Sequence, residues 1–514
     1  MRRGHSRLLP GQALPDGVRV GADGDGDGGG GDQNHLSRRC YVCKEAYRSR
    51  HFWYDSLCGD CGDFNFMQRL DAVQCVGKTA IVTGARIKIG YEMALKLLRC
   101  GCTVIVTTRF PRYAAAKYGG ESDFSSWSGR LSILGLDFCR LSSVTAFINH
   151  IKRRHRRIDF LINNAASTVR RTADFYADII AVERRALPPH IPKQLVVEYE
   201  HFTDALDVAP PLRALPFGGG GGPKMIELNE FARSKSSEFE DDESGDVLKK
   251  VLGSLGRFDE NSQPHDLRKD NSWTAMLGQV HPVEVMETIM VNQFVPFLFI
   301  NELIPLMSNQ AAMRRSEHEP AGPSPKRRRM NNQRQTELIW AEIARRQRRG
   351  VERSYIVNVS AMEGRFHFFK QGTHPHTNMA KAALNMLTRT SALKLAQQHN
   401  VFMVAVDTGW VTDELPLKRR VRSKLRERKT MGGFDTTTST DTTSAAAADD
   451  KETDEKAESE TEKGAAADFK NDFVFHPPLD EIDGAARCLH PIWAGMRGKP
   501  YCGVFLKDYR RIDW

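Results

Sequence analysis

The sequence has no uninterrupted apolar run long enough to cross a bilayer, and its mean hydropathy is −0.46, so a membrane partner is not expected. Arg2 and Arg3 are followed by no sustained apolar stretch, so no secretory signal is expected either. Cysteine is sparse, 10 in 514 residues. Without an export signal the expected setting is reducing and cytoplasmic, with PKRRR at 325–329 as an alternative nuclear address. Clustered cysteines then point to metal rather than disulfides. Apolar residues make up 40% of the chain, which excludes a collagen, a wholly disordered chain and a small disulfide-stapled scaffold. Length alone suggests about three domains of roughly 150 residues. Lys and Arg number 74 against 64 Asp and Glu, a formal charge of +10. Much of that excess lies in appendages, so we expect no nucleic-acid partner; the basic tracts and the cysteine cluster are all that would favour one.

Residues 1–35, with GADGDGDGGGGDQN, cannot build a core and read as a disordered tail. Residues 36–75 are rich in Cys and aromatics. From 76 to 514 the text alternates. KTAIVTG, TVIVTTR, DFLINNAA, SYIVNVSA and FMVAVDTG read as buried strands. IGYEMALKLLRCG, SSVTAFINHIKRRH and HTNMAKAALNMLTRTSALKLAQQH read as helices between them. Near-continuous Val/Ile strands separated by helices predict an α/β fold, a Rossmann-like doubly wound parallel sheet covered on both faces. GVFLKDYRRIDW supplies a last strand from Gly503. Three stretches break the pattern, at 171–275, 311–350 and 417–470, and read as long, largely disordered insertions.

Cys40 and Cys43, then Cys58 and Cys61, form two CxxC pairs across a fourteen-residue spacer. That spacing suits a closed tetrahedral four-thiolate zinc site, structural rather than catalytic. A module of this size has too little core to be stable alone, and a metal would supply the deficit. His51 is a spare ligand in the spacer. Tyr41, Phe52, Trp53 and Tyr54 are expected to form the small core that packs the module on the next domain.

The segment VGKTAIVTGARIKIG predicts a strand ending at Thr83-Gly84, a loop, and a helix opening near Ile89-Gly90. With these residues the chain resembles the short-chain dehydrogenase/reductase family, whose cofactor loop is TGxxxGxG. Thr83, Gly84 and Gly90 match; Lys88 replaces the middle glycine, and Arg86 and Lys88 offer positive charge to phosphates. The second strand ends at Thr108 and Arg109 with no acid, so the resemblance implies NADP(H) over NAD, Arg109 suiting a 2′-phosphate. Asp137 falls at the family's adenine position. Asn163, Asn164, Ala165 and Ala166 resemble its NNAG, with Ala for Gly. Asn292 resembles its helix-four Asn, which organises a water near the catalytic Lys. The resemblance covers roughly 77–170, 280–310 and 351–416, with a C-terminal remnant.

The family transfers hydride between nicotinamide and a carbonyl or alcohol, using a Ser, and a Tyr one helical turn before a Lys. Ser360 resembles that Ser and Lys381 that Lys, which also holds the nicotinamide ribose. The Tyr position is Thr377, a poor acid, read also as a helix cap; no Tyr lies between 356 and 380. His374 and His376 flank it and titrate in a useful range. Thr408-Gly409 stands for the family's Pro-Gly beside the nicotinamide, and Thr412 for its carboxamide contact. The resemblance thus implies an NADP(H)-dependent oxidoreductase acting on a small carbonyl or alcohol, with a replaced acid. The alternative is a non-catalytic NADP(H)-binding regulator or scaffold. MAKAALNML around Lys381 has the small residues that a homodimer through this helix needs.

Overall fold

Period-two alternation sorts the strand residues onto two faces. In strand β3 (Thr79–Thr83), Ala80 and Val82 enter one core and Ile81 the other. We describe a computed structural model covering residues 38–197, 258–259, 261, 263–308, 332–348, 351–366, 370–421 and 477–514. The expected tail at 1–35 lies outside the described residues, as does most of the three interrupting stretches.

The first elements are two-residue strands β1 (Arg38–Arg39) and β2 (Ala46–Tyr47), paired antiparallel, and helix α1 (Gly59–Leu70). After β3 come α2 (Lys88–Arg99), β4 (Thr103–Thr108), α3 (Pro111–Gly119), β5 (Leu131–Gly135), α4 (Leu141–Arg154), β6 (Phe160–Asn163), α5 (Ala173–Glu183) and β7 (Val196–Val197). Then follow α6 (Pro282–Met307), α7 (Asn332–Arg348), β8 (Ser354–Ser360), α8 (Pro375–His399), β9 (Val401–Asp407), α9 (Glu481–Met496), β10 (Phe505–Lys507) and β11 (Arg510–Ile512). The nine-stranded sheet runs β11-β10-β9-β8-β6-β3-β4-β5-β7. Every pairing is parallel except β10 with β11. This is the expected doubly wound sheet. Its strand order reverses between β3 and β6, and such a reversal opens a crevice at the carboxyl ends of the strands.

Met93, Leu97, Tyr118, Leu489 and Trp493 cover one face of the sheet. Phe147, Ile151, Phe299, Leu303 and Leu395 cover the other. Each such side chain contributes roughly 1.5–3 kcal/mol on burial. Helix α6 is long and apolar enough, by length and composition, to cross a membrane; here its Val295, Phe299, Ile300 and Leu303 are core residues. A five-residue π turn at Met290–Phe294 interrupts it.

The described parts of the interrupting stretches are built into the fold. β7 extends the sheet beside β5. Helix α7 packs Ile339 and Ile343 into the core. Residues 263–266 line the crevice, held by Asp266, which bonds Arg171 at 2.7 Å and Arg268 at 2.7 Å. Polar composition hid these elements, because each buries only one narrow face.

Candidate cofactor cleft and metal centre

The four cysteine sulfurs all lie within 4.8 Å of one another, and Cys43 and Cys58 are 3.8 Å apart. Four sulfurs at about 2.3 Å from a tetrahedral ion stand roughly 3.8 Å apart, the spacing of the Cys43–Cys58 pair, so this donor set suits a metal. Burial pushes the Cys40 thiol up, but the backbone N–H groups of Cys58, Cys43 and Val42 outweigh it and bring it down to about 7. His51 is not a spare ligand. Its Nδ1 accepts the N–H groups of Trp53 and Tyr54, at 3.1 and 3.2 Å, and its Nε2 bonds Asp63 at 3.1 Å. A Cβ at Gly62 would stand 2.4 Å from the His51 ring, so the CxxCG glycine lets His51 brace the turn.

The module is fastened to α9 by buried polar contacts. Arg69 pairs with Asp480 at 2.6 Å and Asp483 at 3.1 Å. The Tyr54 hydroxyl donates to Asp483 at 2.6 Å, and Arg487 donates to Asn65 at 2.6 Å. Trp53 lies under the Arg69 guanidinium at 5.1 Å. Phe52, expected in the module core, is 49% exposed instead and lines the cleft. Tyr54, Asp55 and Ser56 line it too, so the module forms one wall of the crevice.

That crevice is a cleft of about 1300 Å³ at the carboxyl ends of the strands. Gly84 is left-handed (φ 67°), and a Cβ there would stand 2.8 Å from Ala165 Cα. A Cβ at Gly90 would stand 2.5 Å from both the Asn164 amide nitrogen and the Gly84 oxygen. Asn164 donates to the Thr83 and Gly84 carbonyls at 2.9 and 3.2 Å, and the Thr83 hydroxyl accepts the N–H groups of Asn164 and Ala165, both at 2.9 Å. The TG and NNAA motifs are therefore one hydrogen-bonded unit. Lys88 keeps the glycine's left-handed backbone (φ 55°) and opens α2, its side chain bordering the cleft. Ile89 also lines the cleft and packs on Gly484 of α9. No side chain among the described residues caps α2, and its first residues, Lys88 to Gly90, line the cleft, an arrangement that suits an anion.

At the end of β4, Arg109 donates to the Tyr176 hydroxyl at 2.8 Å and stacks on that ring at 4.9 Å. Arg86 lies over Phe110 and Tyr113 and donates to Gln263 at 3.0 Å; its second terminal nitrogen is buried without a partner among the described residues. Burial lowers Arg86 to about 10. Asp137 borders this pocket and accepts the Cys139 N–H at 3.0 Å. The sequence did not reveal Gln263, Tyr113 or Tyr176; aromatic residues after a strand carry no distinctive signal.

Ser360 ends β8, 3% exposed, and its hydroxyl has no hydrogen-bond partner among the described residues. Lys381 lines the same cleft, donates to the Val359 carbonyl at 2.9 Å, and is lowered by burial to about 8. Asn292, in the π turn, accepts the Ser167 N–H at 3.3 Å and donates to the Ser167 and Thr288 carbonyls at 2.6 and 3.0 Å. Its amide pins the chain just after NNAA. Thr377 is not the cap of α8; His374 holds that place in a left-handed conformation (φ 43°), stacked on Trp273 at 4.1 Å. Thr377 and His376 are buried (1% and 2%), 3.5 Å apart, and do not line the cleft; burial lowers His376, which lies beside the Thr168 backbone. Gly409 is left-handed (φ 77°), while Thr408 and Thr412 face the cleft.

A nine-stranded doubly wound sheet, a glycine cradle at its strand-order reversal and an orphaned serine hydroxyl beside a buried lysine define a Rossmann-like α/β protein. The short chain dehydrogenase family model matches residues 78–181. An uncharacterised protein of Acanthamoeba polyphaga mimivirus is 26% identical over 490 residues, covering 92% of this chain and 74% of the relative. WW domain-containing oxidoreductase of Drosophila melanogaster is 35% identical over 100 residues, covering 19% of this chain and 24% of that protein. Retinol dehydrogenase 14 of Mus musculus is 35% identical over 98 residues, 17% and 29% respectively. The chain thus spans less than a third of these two oxidoreductases. An NADPH-bound carbonyl reductase from chicken fatty liver is 16% identical, with 66% of this chain and 81% of that chain covered and a TM-score of 0.34.

Proposed function

We propose that this chain is an NADP(H)-dependent oxidoreductase that interconverts a carbonyl and an alcohol on a small molecule. The observation that carries the reading is the Ser360 hydroxyl, buried and unpartnered, in the cleft that Lys381 also lines. A buried hydroxyl without a partner costs about 1–3 kcal/mol, so it marks a place where a ligand atom completes the bond. Gly84, Gly90, Ile89 and the N-terminus of α2 would hold the cofactor's diphosphate, with Lys88 adding charge. Arg109 and Arg86 would hold the 2′-phosphate, Asp137 the adenine, Asn164 and Ala165 the adjoining ribose, Lys381 the nicotinamide ribose, and Gly409 and Thr412 the carboxamide. The absence of an acid at Thr108 and Arg109 favours NADP over NAD. When bound, the cofactor supplies or accepts the hydride.

Ser360 donates a hydrogen bond to the reacting oxygen. Lys381 takes over the proton role of the missing Tyr, since its lowered proton affinity suits transfer near neutral pH. Asn292 fixes residue 167 and so the floor of the cleft. The four thiols take structural zinc, which suits a reducing, cytoplasmic setting. Met379 and Met386 on α8, 57% and 55% exposed, support a homodimer through that helix. Titrating NADPH against intrinsic fluorescence, then screening carbonyls and alcohols by absorbance at the nicotinamide band, tests the reading. No binding refutes it. Binding without turnover across the screen leaves the regulator reading, which the burial of Thr377 and His376 outside the cleft favours.

A further inference from the structure

The metal ligands lie one residue from a contact on which the cleft depends. Tyr41 sits between Cys40 and Cys43, in a turn closed by the bonds from Lys44 N to Cys40 O (3.0 Å) and from Tyr41 N to Ser56 O (2.8 Å). Its hydroxyl accepts the backbone N–H of Trp410 at 2.8 Å. A Cβ at the neighbouring Gly409 would stand 3.5 Å from that hydroxyl and 2.5 Å from Leu479. On the other side, Val411 is 6% exposed and packs in one cluster with Cys40, Tyr47, Tyr54, Leu57 and Phe66. The Asp407 carboxylate holds the start of the same segment, accepting the N–H groups of Gly409 and Met362, each at 2.8 Å, and facing Lys507 at 3.2 Å. Thr408 and Thr412, at its two ends, line the cleft. The segment at 408–412 is therefore gripped from behind by the metal turn while it presents its ends to the ligand.

We propose that the metal turn at 40–43 positions the cleft segment at 408–412, with Tyr41 as the positioning residue, so that metal loss loosens the cofactor site while the sheet stays folded. Apart from the two backbone bonds and the packing of Cys40, the turn has few ties: β1 and β2 are two residues each and Cys43 is exposed, so a bound ion would add the constraint that fixes Tyr41. Residues 38–70 of the module enter neither of the sheet's two cores; their apolar side chains form a separate cluster with Val411 and Leu479. The cofactor part of this inference rests on the reading under Proposed function; the segment's protection does not.

Amide hydrogen exchange on the full chain, as purified with zinc, after chelation, and as Tyr41→Phe, decides the matter. Tyr41→Phe keeps the ring and loses only the acceptor. It should retain zinc and its melting temperature, while the amides at 409–412 exchange roughly fivefold faster, the loss of one hydrogen bond. The Kd for NADPH should rise by a similar factor. Chelation of the wild type should speed the same peptide, and chelation of Tyr41→Phe should add less. Unchanged exchange at 409–412 in Tyr41→Phe overturns the proposal. So does a wild type whose segment stays protected without zinc, whether after chelation or as purified. If chelation opens the whole chain, the Tyr41→Phe comparison alone decides. A wild type that binds no NADPH, with exchange behaving as described, counts against the cofactor assignment and not against this coupling.

Discussion

Replacing Lys381 by Met should make the protein more stable at pH 7 while removing its activity. Lys381 is 5% exposed, and burial lowers it from 10.5 to about 8. Below pH 8 both the folded and the unfolded chain carry the proton, and the folded chain bears the full penalty of a desolvated cation, about 3 kcal/mol. Methionine has a similar reach and no charge, so that penalty disappears. The substitution also strands the Val359 carbonyl, now bonded at 2.9 Å, which returns about 1–2 kcal/mol. The net gain at pH 7 is about 1–2 kcal/mol. Above pH 8 the folded wild type releases the proton before the unfolded chain does, so its penalty shrinks by about 1.4 kcal/mol per pH unit until about 10.5. Urea melts of both proteins from pH 6.5 to 9.5 read this directly. A variant no more stable than the wild type at pH 7, or a gap that does not change with pH, would refute the assignment of Lys381 as a strained buried cation.

The same titration sets the direction of catalysis. Carbonyl reduction, which needs a protonated Lys381, should lose kcat/KM as pH rises through about 8, and alcohol oxidation should gain it; identical profiles in both directions would exclude Lys381 as the proton carrier. Gly90→Ala should cost about 1–3 kcal/mol in melting experiments and weaken NADPH binding more than tenfold, because the new Cβ meets the Gly84 carbonyl and the Asn164 amide, both fixed in the loop. Undiminished NADPH affinity there would show that the cradle is not the diphosphate site. Arg109→Ala should lower NADPH affinity by about 10- to 100-fold and leave NADH affinity unchanged, as fluorescence titration with the two cofactors will show. Equal losses for both would remove Arg109 from phosphate recognition.

Where side-chain chemistry sets a local pattern, the structure agrees with the sequence reading. Thr79–Thr83 and Ser354–Ser360 are near-continuous apolar strands that bury residues on both faces, and only a sheet covered on both sides accommodates such runs. The CxxC pairs and the TG…G loop are equally legible, since thiolate geometry and glycine backbone freedom restrict what such spacings can mean. Lys88 shows a limit of that logic: the position demands a left-handed backbone, and a lysine adopts it at modest cost, so one missing glycine does not signal a lost loop. Thr377 shows another. A threonine after a proline reads as a cap, yet His374 takes that place because its ring stacks on Trp273, a residue 101 positions away. The two-residue β7 and the segment around Gln263 were invisible for the same reason, since only tertiary contacts select them.

The fastening of the cysteine module to α9 has a consequence for how the chain is made. Tyr54 and its partner Asp483 are separated by 429 positions, and Arg69 and Asp480 by 411. At ribosomal speeds of about 5–20 residues per second, the module emerges tens of seconds before the surface it grips exists. During that interval Arg69, Tyr54 and Asn65 stay in water, and the thiols have only an ion to shelter them. Helix α9 thus acts as a latch: the cleft wall that the module forms is secured only once residues 480–487 have been made, and a chain interrupted before residue 480 would carry a cysteine module with nowhere to dock.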